Sequence, residues 1–294
     1  MKRPNFFILG APKCGTTSLA AWLSQHPNIY LSSPKEPNFF NTDDRVVGRL
    51  TLREYESLFN EAGAAHYAVG EASAQYLASD VALLNILEYS RSSPRFIICI
   101  RNPIEMAMSL HSYLVLSAIE DEVDFERAWY LQKKRRAQSP PLLRGDQRQV
   151  LYGPRCLLGR QLERVYAAVD RSSVHVVLLD DVMVDPKWEY QKVLHFLGVD
   201  DDGRSHFPIH NVGRTPTIRA IPMALRLIDI LKSRLRIRRR SGFGEFLWRL
   251  GTKLEDHRFT VSIKFRHELR EYFRADIKTL SGLLDRDLTP WLSI

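Results

Sequence analysis

Residues 6–19 read FFILGAPKCGTTSL: an apolar run, a loop bracketed by glycines, then two threonines opening a helical pattern. A strand feeding such a loop brings backbone close to an anion. Glycine permits the approach, successive N–H groups converge on the charge, and the helix dipole favours a negative ligand. Gly10 and Gly15 stand at the GxxxxG spacing of a P-loop, but Thr16 occupies the place where an ATPase carries lysine. The lysine lies inside the loop instead, at Lys13. The pattern predicts a phosphate cradle made for something other than a magnesium-bound triphosphate.

Apolar runs of strand length recur at 5–9, 29–31, 67–70, 96–100 and 174–179. Those at 96–100 and 174–179 are near-continuous, as expected of strands covered on both faces of a parallel sheet. Helical patterns at 18–25, 81–90, 103–117 and 155–169 alternate with them. The expected fold is therefore α/β: a single P-loop-like domain over 1–294, with a central, mainly parallel sheet flanked by helices. Sites in such sheets lie at the carboxyl ends of strands, where the 10–17 loop and a corner at Arg101 both fall. Two stretches interrupt the alternation. Residues 133–148, charged and holding Pro140-Pro141, read as a mobile loop, and 232–240, KSRLRIRRR, as a dense basic run.

The net charge of +8 suits an anionic partner. A polyphosphorylated nucleotide, a membrane surface and nucleic acid satisfy it equally, although no aromatic interleaving supports nucleic-acid readout. Cys14, Cys99 and Cys156 are far apart, and no Cys/His cluster suggests a metal. They read as unpaired thiols in a reducing compartment. The first strand follows Met-Lys-Arg-Pro at once, and no apolar run approaches the ~18 residues of a membrane span, so the expectation is a cytoplasmic protein.

The displaced lysine carries a resemblance. Pro12-Lys13-Cys14-Gly15-Thr16-Thr17-Ser18-Leu19 resembles the PKxGTTxL loop of sulfotransferases that use 3′-phosphoadenosine 5′-phosphosulfate (PAPS). Lys35-Glu36-Pro37-Asn38-Phe39-Phe40, Arg101-Asn102-Pro103 with Ser109, and residues 283–288 before Trp291 agree in order and spacing, so the likeness covers nearly the whole chain. With no membrane anchor, it is most similar to the soluble bacterial members. The resemblance implies that the loop, through Lys13, Cys14, Gly15, Thr16, Thr17 and Ser18, holds the 5′-phosphosulfate, while Arg101 and Ser109 grip the 3′-phosphate. Many relatives have arginine where this chain has Met106. Gly70-Glu71-Ala72-Ser73-Ala74 resembles the family's GExSP segment, but Ala74 replaces its proline and Ala72 the lysine of heparan-modifying members. That departure weakens a heparan-like acceptor.

Sulfuryl transfer needs a cation at the leaving oxygen, donors on the sulfonate and a base near the acceptor. Lys13 supplies the first; the backbone N–H groups of 14–17 with the Thr16 and Thr17 hydroxyls supply the second, although threonines there could simply cap a helix. Glu36, in a corner braced by Pro34 and Pro37, is the first candidate base, and related heparan enzymes have a basic glutamate at nearly the same offset. A simple ion pair with Lys35 is the competing reading. His111 is the rival base, as in the cytosolic small-molecule branch, because imidazole titrates near neutrality. At 101–105, Asn102 suits an N-cap, Pro103 the first helical position and Glu105 a capping box. Asp180 and Asp181 end an apolar strand as a magnesium-binding element would, and Asn211–Gly213 with Arg214 could reach nucleotide.

These residues point to a PAPS-dependent sulfotransferase, acting without a metal on a hydroxyl of a carbohydrate, lipid or secondary metabolite. The alternatives are a P-loop kinase or NTPase, with Asp180 or Asp181 on magnesium, and a non-catalytic phosphoadenosine-nucleotide-binding protein. The basic run would gather an anionic acceptor or a membrane surface, or simply face water.

Overall fold

The computed structural model describes residues 2–44, 49–136, 147–210, 214–216, 252–254 and 261–293. Five apolar segments become strands: β1 (Phe6–Gly10), β2 (Ile29–Leu31), β3 (Ala68–Ala72), β4 (Arg95–Ile100) and β5 (Val174–Leu178). They form one sheet in the order β2-β3-β1-β4-β5, and every pairing is parallel. The expected α/β architecture is present, because β1 and β4 are apolar at consecutive positions and are buried on both faces.

Helices fill the crossovers and follow the last strand of that sheet: α1 (Thr16–Leu23), α2 (Leu52–Ser57), α3 (Ala82–Tyr89), α4 (Pro103–Leu116), α5 (Phe125–Arg136), α6 (Tyr152–Arg155) and α7 (Leu158–Ala168) lie between strands, and α8 (Leu179–Val184), α9 (Pro186–Leu197) and α10 (Ile263–Leu284) come after β5. In α10 the positions Phe265, Leu269, Phe273, Ile277 and Leu280 are buried at three- and four-residue spacing, a stripe that faces the core. A short antiparallel pair, β6 (Arg214–Pro216) with β7 (Thr252–Leu254), stands apart from the main sheet.

Of the 133–148 stretch, residues 137–146, with Pro140-Pro141, lie outside the described residues, and only its two ends are corrected. Lys133, Lys134, Arg135 and Arg136 form the last turn of α5, and Gln147–Val150 is a 3-10 turn. Basic residues complement the dipole at a helix C-terminus. Arg135 is further held by both oxygens of the buried Glu120, at 2.6 Å each. Arg148 binds Asp43 and Asp44. The basic run at 232–240 and the Asn211–Gly213 turn lie outside the described residues.

Candidate active site

β1 and β4 are neighbours, so the loop after Gly10 and the corner at Arg101 meet at the carboxyl edge of the sheet. The Ala11 N–H donates to the Cys99 carbonyl at 2.7 Å and ties the two together. Gly10 has φ 143°, and a Cβ there would stand 2.6 Å from the Ala74 carbonyl oxygen. Glycine is needed for the close approach of the loop to the end of β3.

Gly15, left-handed at φ 86°, is the N-cap of α1. Thr16 and Thr17 are therefore the first residues inside the helix, which opens two residues earlier than the expected Ser18. The first intrahelical bond runs from Leu19 N–H to Gly15 O, so the N–H groups of Thr16, Thr17 and Ser18 precede it. Two other loop expectations narrow. The Cys14 N–H donates to Ala11 O at 3.3 Å, and its thiol is buried, which pushes its pKa up. Ser18 Oγ accepts the His210 N–H at 2.9 Å, so its hydroxyl fastens a neighbouring segment.

Lys13 adopts φ 65° and projects Nζ to 5.1 Å from the Tyr113 ring centroid. Burial and then the Arg101 guanidinium lower its pKa. Arg101 Nη1 donates to the Lys13 carbonyl at 3.3 Å, and Arg101 Nε is buried with no partner. Arg101 also pairs with Glu105, which corrects the capping-box reading. The cap itself is as expected. Asn102 Oδ1 accepts the Ile104 N–H at 3.0 Å, with Pro103 at the first helical position, while Nδ2 donates to Trp291 O at 3.1 Å. Asn102→Ala should cost about 1–2 kcal/mol, measurable in urea unfolding, because cap and tether go together.

On α4, Glu105, Ser109 and Tyr113 recur every fourth residue, and Lys13 lies over the last of them. Ser109 is half-exposed on that loop-facing side, whereas Met106, Met108 and Leu110 are buried. His111 is two residues on, about 200° around the helix. It is 3% exposed, with Nε2 at 2.8 Å from Glu122 O and its ring 5.3 Å from Phe125 and 5.7 Å from Tyr152. Burial lowers its pKa. The structure thus packs the rival base among α5 and α6, away from the loop-facing side.

Glu36 stands where the chain returns to the sheet. Its backbone N–H donates to Ala72 O at 2.9 Å, and Oε2 accepts the Ala74 N–H at 2.8 Å. Ala74 is the residue whose carbonyl abuts Gly10, so the carboxylate is fixed beside the loop. Oε1 accepts from Lys35 Nζ, the contact of the competing reading, with the two side chains 25% and 34% exposed. Glu36 (φ 63°) and Asn38 (φ 48°) are both left-handed, a conformation that costs roughly 1–2 kcal/mol per non-glycine residue. Surrounding bonds must hold such a turn. Sequence reading passed over Tyr113 and the Ala74 N–H. The four-residue step from Ser109 could have marked Tyr113; nothing local marks Ala74.

Glu71, at the end of β3, is fully buried, and its pKa is pushed up to about 7, first by burial. A raised carboxyl pKa means the folded state binds the proton more tightly than the unfolded one. Stability should then fall as pH rises from about 4.5 to about 7, by on the order of 3 kcal/mol. Urea unfolding of Glu71→Gln against the parent should show a gap at pH 8 that closes near pH 4.5.

Asp180 and Asp181 both have protein partners. Trp291 Nε1 donates to Asp180 at 2.6 Å, and Arg286 forks onto Asp181, Nη2 at 2.7 Å. They fasten the C-terminal segment. Among the described residues no group of three His, Cys, Asp or Glu could hold a metal, and no helix is long and apolar enough to cross a membrane.

The loop bracketed by Gly10 and Gly15, the Lys13 and Arg101 cations at its mouth and the Glu36 carboxylate beside it thus lie together at the carboxyl edge of a P-loop-like sheet. A family model described as the sulfotransferase domain matches residues 3–212, and the chain belongs to that family. It is similar over 100% of both chains to a sulfotransferase from Alicyclobacillus acidocaldarius, with 25% identity and a TM-score of 0.71. A mouse sulfotransferase solved with PAP shares the fold, at 14% identity and a TM-score of 0.52 over 94% of this chain and 85% of that one. Carbohydrate sulfotransferase 15 of Rattus norvegicus is 35% identical over 81 residues, 24% of this chain. That match spans only 14% of the relative's length.

Proposed function

We propose that this protein is a PAPS-dependent sulfotransferase that transfers a sulfuryl group to a hydroxyl of a carbohydrate, lipid or secondary metabolite. The observation that carries the reading is the crowding of Lys13 and Arg101. Burial disfavours the Lys13 charge, the Arg101 guanidinium adds to that cost, and Arg101 Nε is buried without a partner. An anion between them relieves all three. The residues present therefore fit the donor: Lys13 and the α1 N-terminus for the 5′-phosphosulfate, Arg101 and Ser109 for the 3′-phosphate. The donor supplies the sulfuryl group and leaves as adenosine 3′,5′-bisphosphate.

Glu36 accepts the acceptor's hydroxyl proton as the new S–O bond forms. Lys13 stabilises the charge that collects on the phosphate oxygen as the old S–O bond breaks. Lys35 holds one Glu36 oxygen, and the acceptor hydroxyl takes that place, while the Ala74 N–H keeps the other fixed. His111 has no part, being turned into the core. The engagement of Asp180 and Asp181 by Trp291 and Arg286 speaks against the magnesium-dependent alternative. The acceptor class rests on kinship alone, and an acceptor screen with labelled PAPS is the way to identify it.

Calorimetry tests the donor. Charged hydrogen bonds contribute about 1.5–3 kcal/mol, so adenosine 3′,5′-bisphosphate should bind roughly 10–100-fold more tightly than adenosine 5′-phosphate. Arg101→Ala should erase most of that difference. Equal affinities for the two nucleotides, or ATP binding that requires magnesium, would overturn the assignment.

A further inference from the structure

Glu71 takes no part in this chemistry, yet neither of its carboxyl oxygens, buried at 0% exposure, makes a well-formed hydrogen bond. A buried polar group of that kind calls for an explanation. Its neighbours belong to the turn that carries Glu36. The Tyr76 hydroxyl accepts the Phe39 N–H at 2.9 Å and the Phe40 N–H at 3.3 Å, and Ser73 Oγ accepts the Asn38 N–H at 3.1 Å. A hydroxyl that accepts in this way still has its own proton to give. The hydroxyls of Tyr55, Tyr76 and Ser73 lie near enough to the Glu71 carboxyl to favour its charged form against the larger effect of burial, although none makes a well-formed hydrogen bond to it. Rings close the pocket from the same side. Phe39 stacks on Tyr55 at 4.4 Å, and Phe40 packs edge-on against Tyr55 at 5.1 Å and Tyr76 at 5.9 Å.

We propose that Glu71 works as a neutral carboxylic acid pinning the Glu36 turn from beneath, which makes it a positioning residue for the sulfuryl-transfer base. The inference rests on Glu36 being that base. Glu71, walled in by aromatic rings, is driven toward its neutral form first by that burial, and the Glu36 carboxylate adds to the effect. The other titratable groups facing Glu71 are Tyr55 and Tyr76, with Tyr89 further off, and burial raises the pKa of all three. At neutral pH their hydroxyls therefore act only as hydrogen-bond partners. Through Ser73 and Tyr76 the acid holds three successive N–H groups just past Glu36, and so supports a backbone that two left-handed residues would otherwise let relax.

The experiment compares Glu71→Gln, which keeps the neutral planar shape, with Glu71→Leu, which keeps only the bulk. Hydrogen exchange over residues 36–41, nucleotide affinity and steady-state rates are measured for each. Glu71→Gln should retain slow exchange of 38–40 and hold kcat within ~3-fold of the parent. Glu71→Leu should speed that exchange and lower kcat by roughly 10–100-fold through misplacement of the base, with bisphosphate affinity unchanged. Between pH 6 and 8 the parent should lose protection at 38–40 while Glu71→Gln does not. That pH comparison decides the matter even if Glu71→Leu does not fold. Wild-type exchange and kcat in Glu71→Leu, or a Glu71→Gln variant that responds to pH as the parent does, would overturn the proposal. If Glu36→Gln proves fully active, the base assignment fails on its own, and the exchange results still report whether Glu71 pins the turn.

Discussion

Glu36→Gln should lower kcat by roughly 10²–10⁴, the usual contribution of a positioned base, while leaving the affinity for adenosine 3′,5′-bisphosphate nearly intact. The geometry argues for this separation. Glu36 is held by Ala72 and Ala74 at the end of β3, whereas the nucleotide grip is assigned to the β1 loop and the Arg101 corner. Glutamine keeps the Ala74 contact, because its carbonyl oxygen can still accept that N–H, so the turn should survive and only proton acceptance be lost. Single-turnover kinetics with PAPS in excess would isolate the chemical step from product release. A loss of nucleotide affinity as large as the loss of turnover would place Glu36 in the donor pocket instead. Abolition of turnover by His111→Ala alongside an active Glu36→Gln would move the base to α4, against the burial seen for that ring.

Lys13→Ala should damage both binding and catalysis. Removing one donor from a developing negative charge typically costs about 10²–10³ in rate. Lys13 also faces the phosphosulfate before reaction, so KM for the donor should rise as kcat falls. The substitution has a structural cost too, because position 13 is left-handed and alanine tolerates that conformation no better than lysine does. Lys13→Met separates the terms: it keeps the bulk over Tyr113 while deleting the charge. Equal losses in the alanine and methionine variants would show that charge, and not packing, is responsible. Unchanged kcat in Lys13→Met would remove Lys13 from the leaving-group role.

Much of the fold is legible in the chain because the signals are local. β1 and β4 are runs of consecutive apolar residues, the Asn102-Pro103 pair announces a helix start, and Gly10 and Gly15 mark a loop that must come close to something. Each depends on residues within a few positions of one another. The first residues of the 133–148 stretch show where that reading falls short. Their charge suggested a loop, but Lys133–Arg136 complete α5, where the buried Glu120 supplies Arg135 with a partner fifteen residues away in sequence. Glu105 fails likewise: the capping pattern is present, yet the Arg101 guanidinium competes for the carboxylate and wins.

The surroundings of the two candidate bases were likewise beyond the sequence. Both Glu36 and His111 have suitable chemistry at suitable offsets, and only packing separates them. Ser109 and His111 are two residues apart on one helix, which sends one toward the loop and the other into an aromatic cluster. Glu36 gains its place from an N–H of Ala74, a residue 38 positions away. The β1–α1 loop is written locally, since Gly10, Lys13, Gly15 and the start of α1 fall within a few residues of one another. What surrounds that loop is a matter of long-range packing. The strand order β2-β3-β1-β4-β5 sets β1 between β3 and β4, so that the Glu36 turn and the Arg101 corner approach the same loop from opposite sides. That arrangement depends on which apolar faces bury each other across the sheet, a long-range outcome that no local pattern encodes.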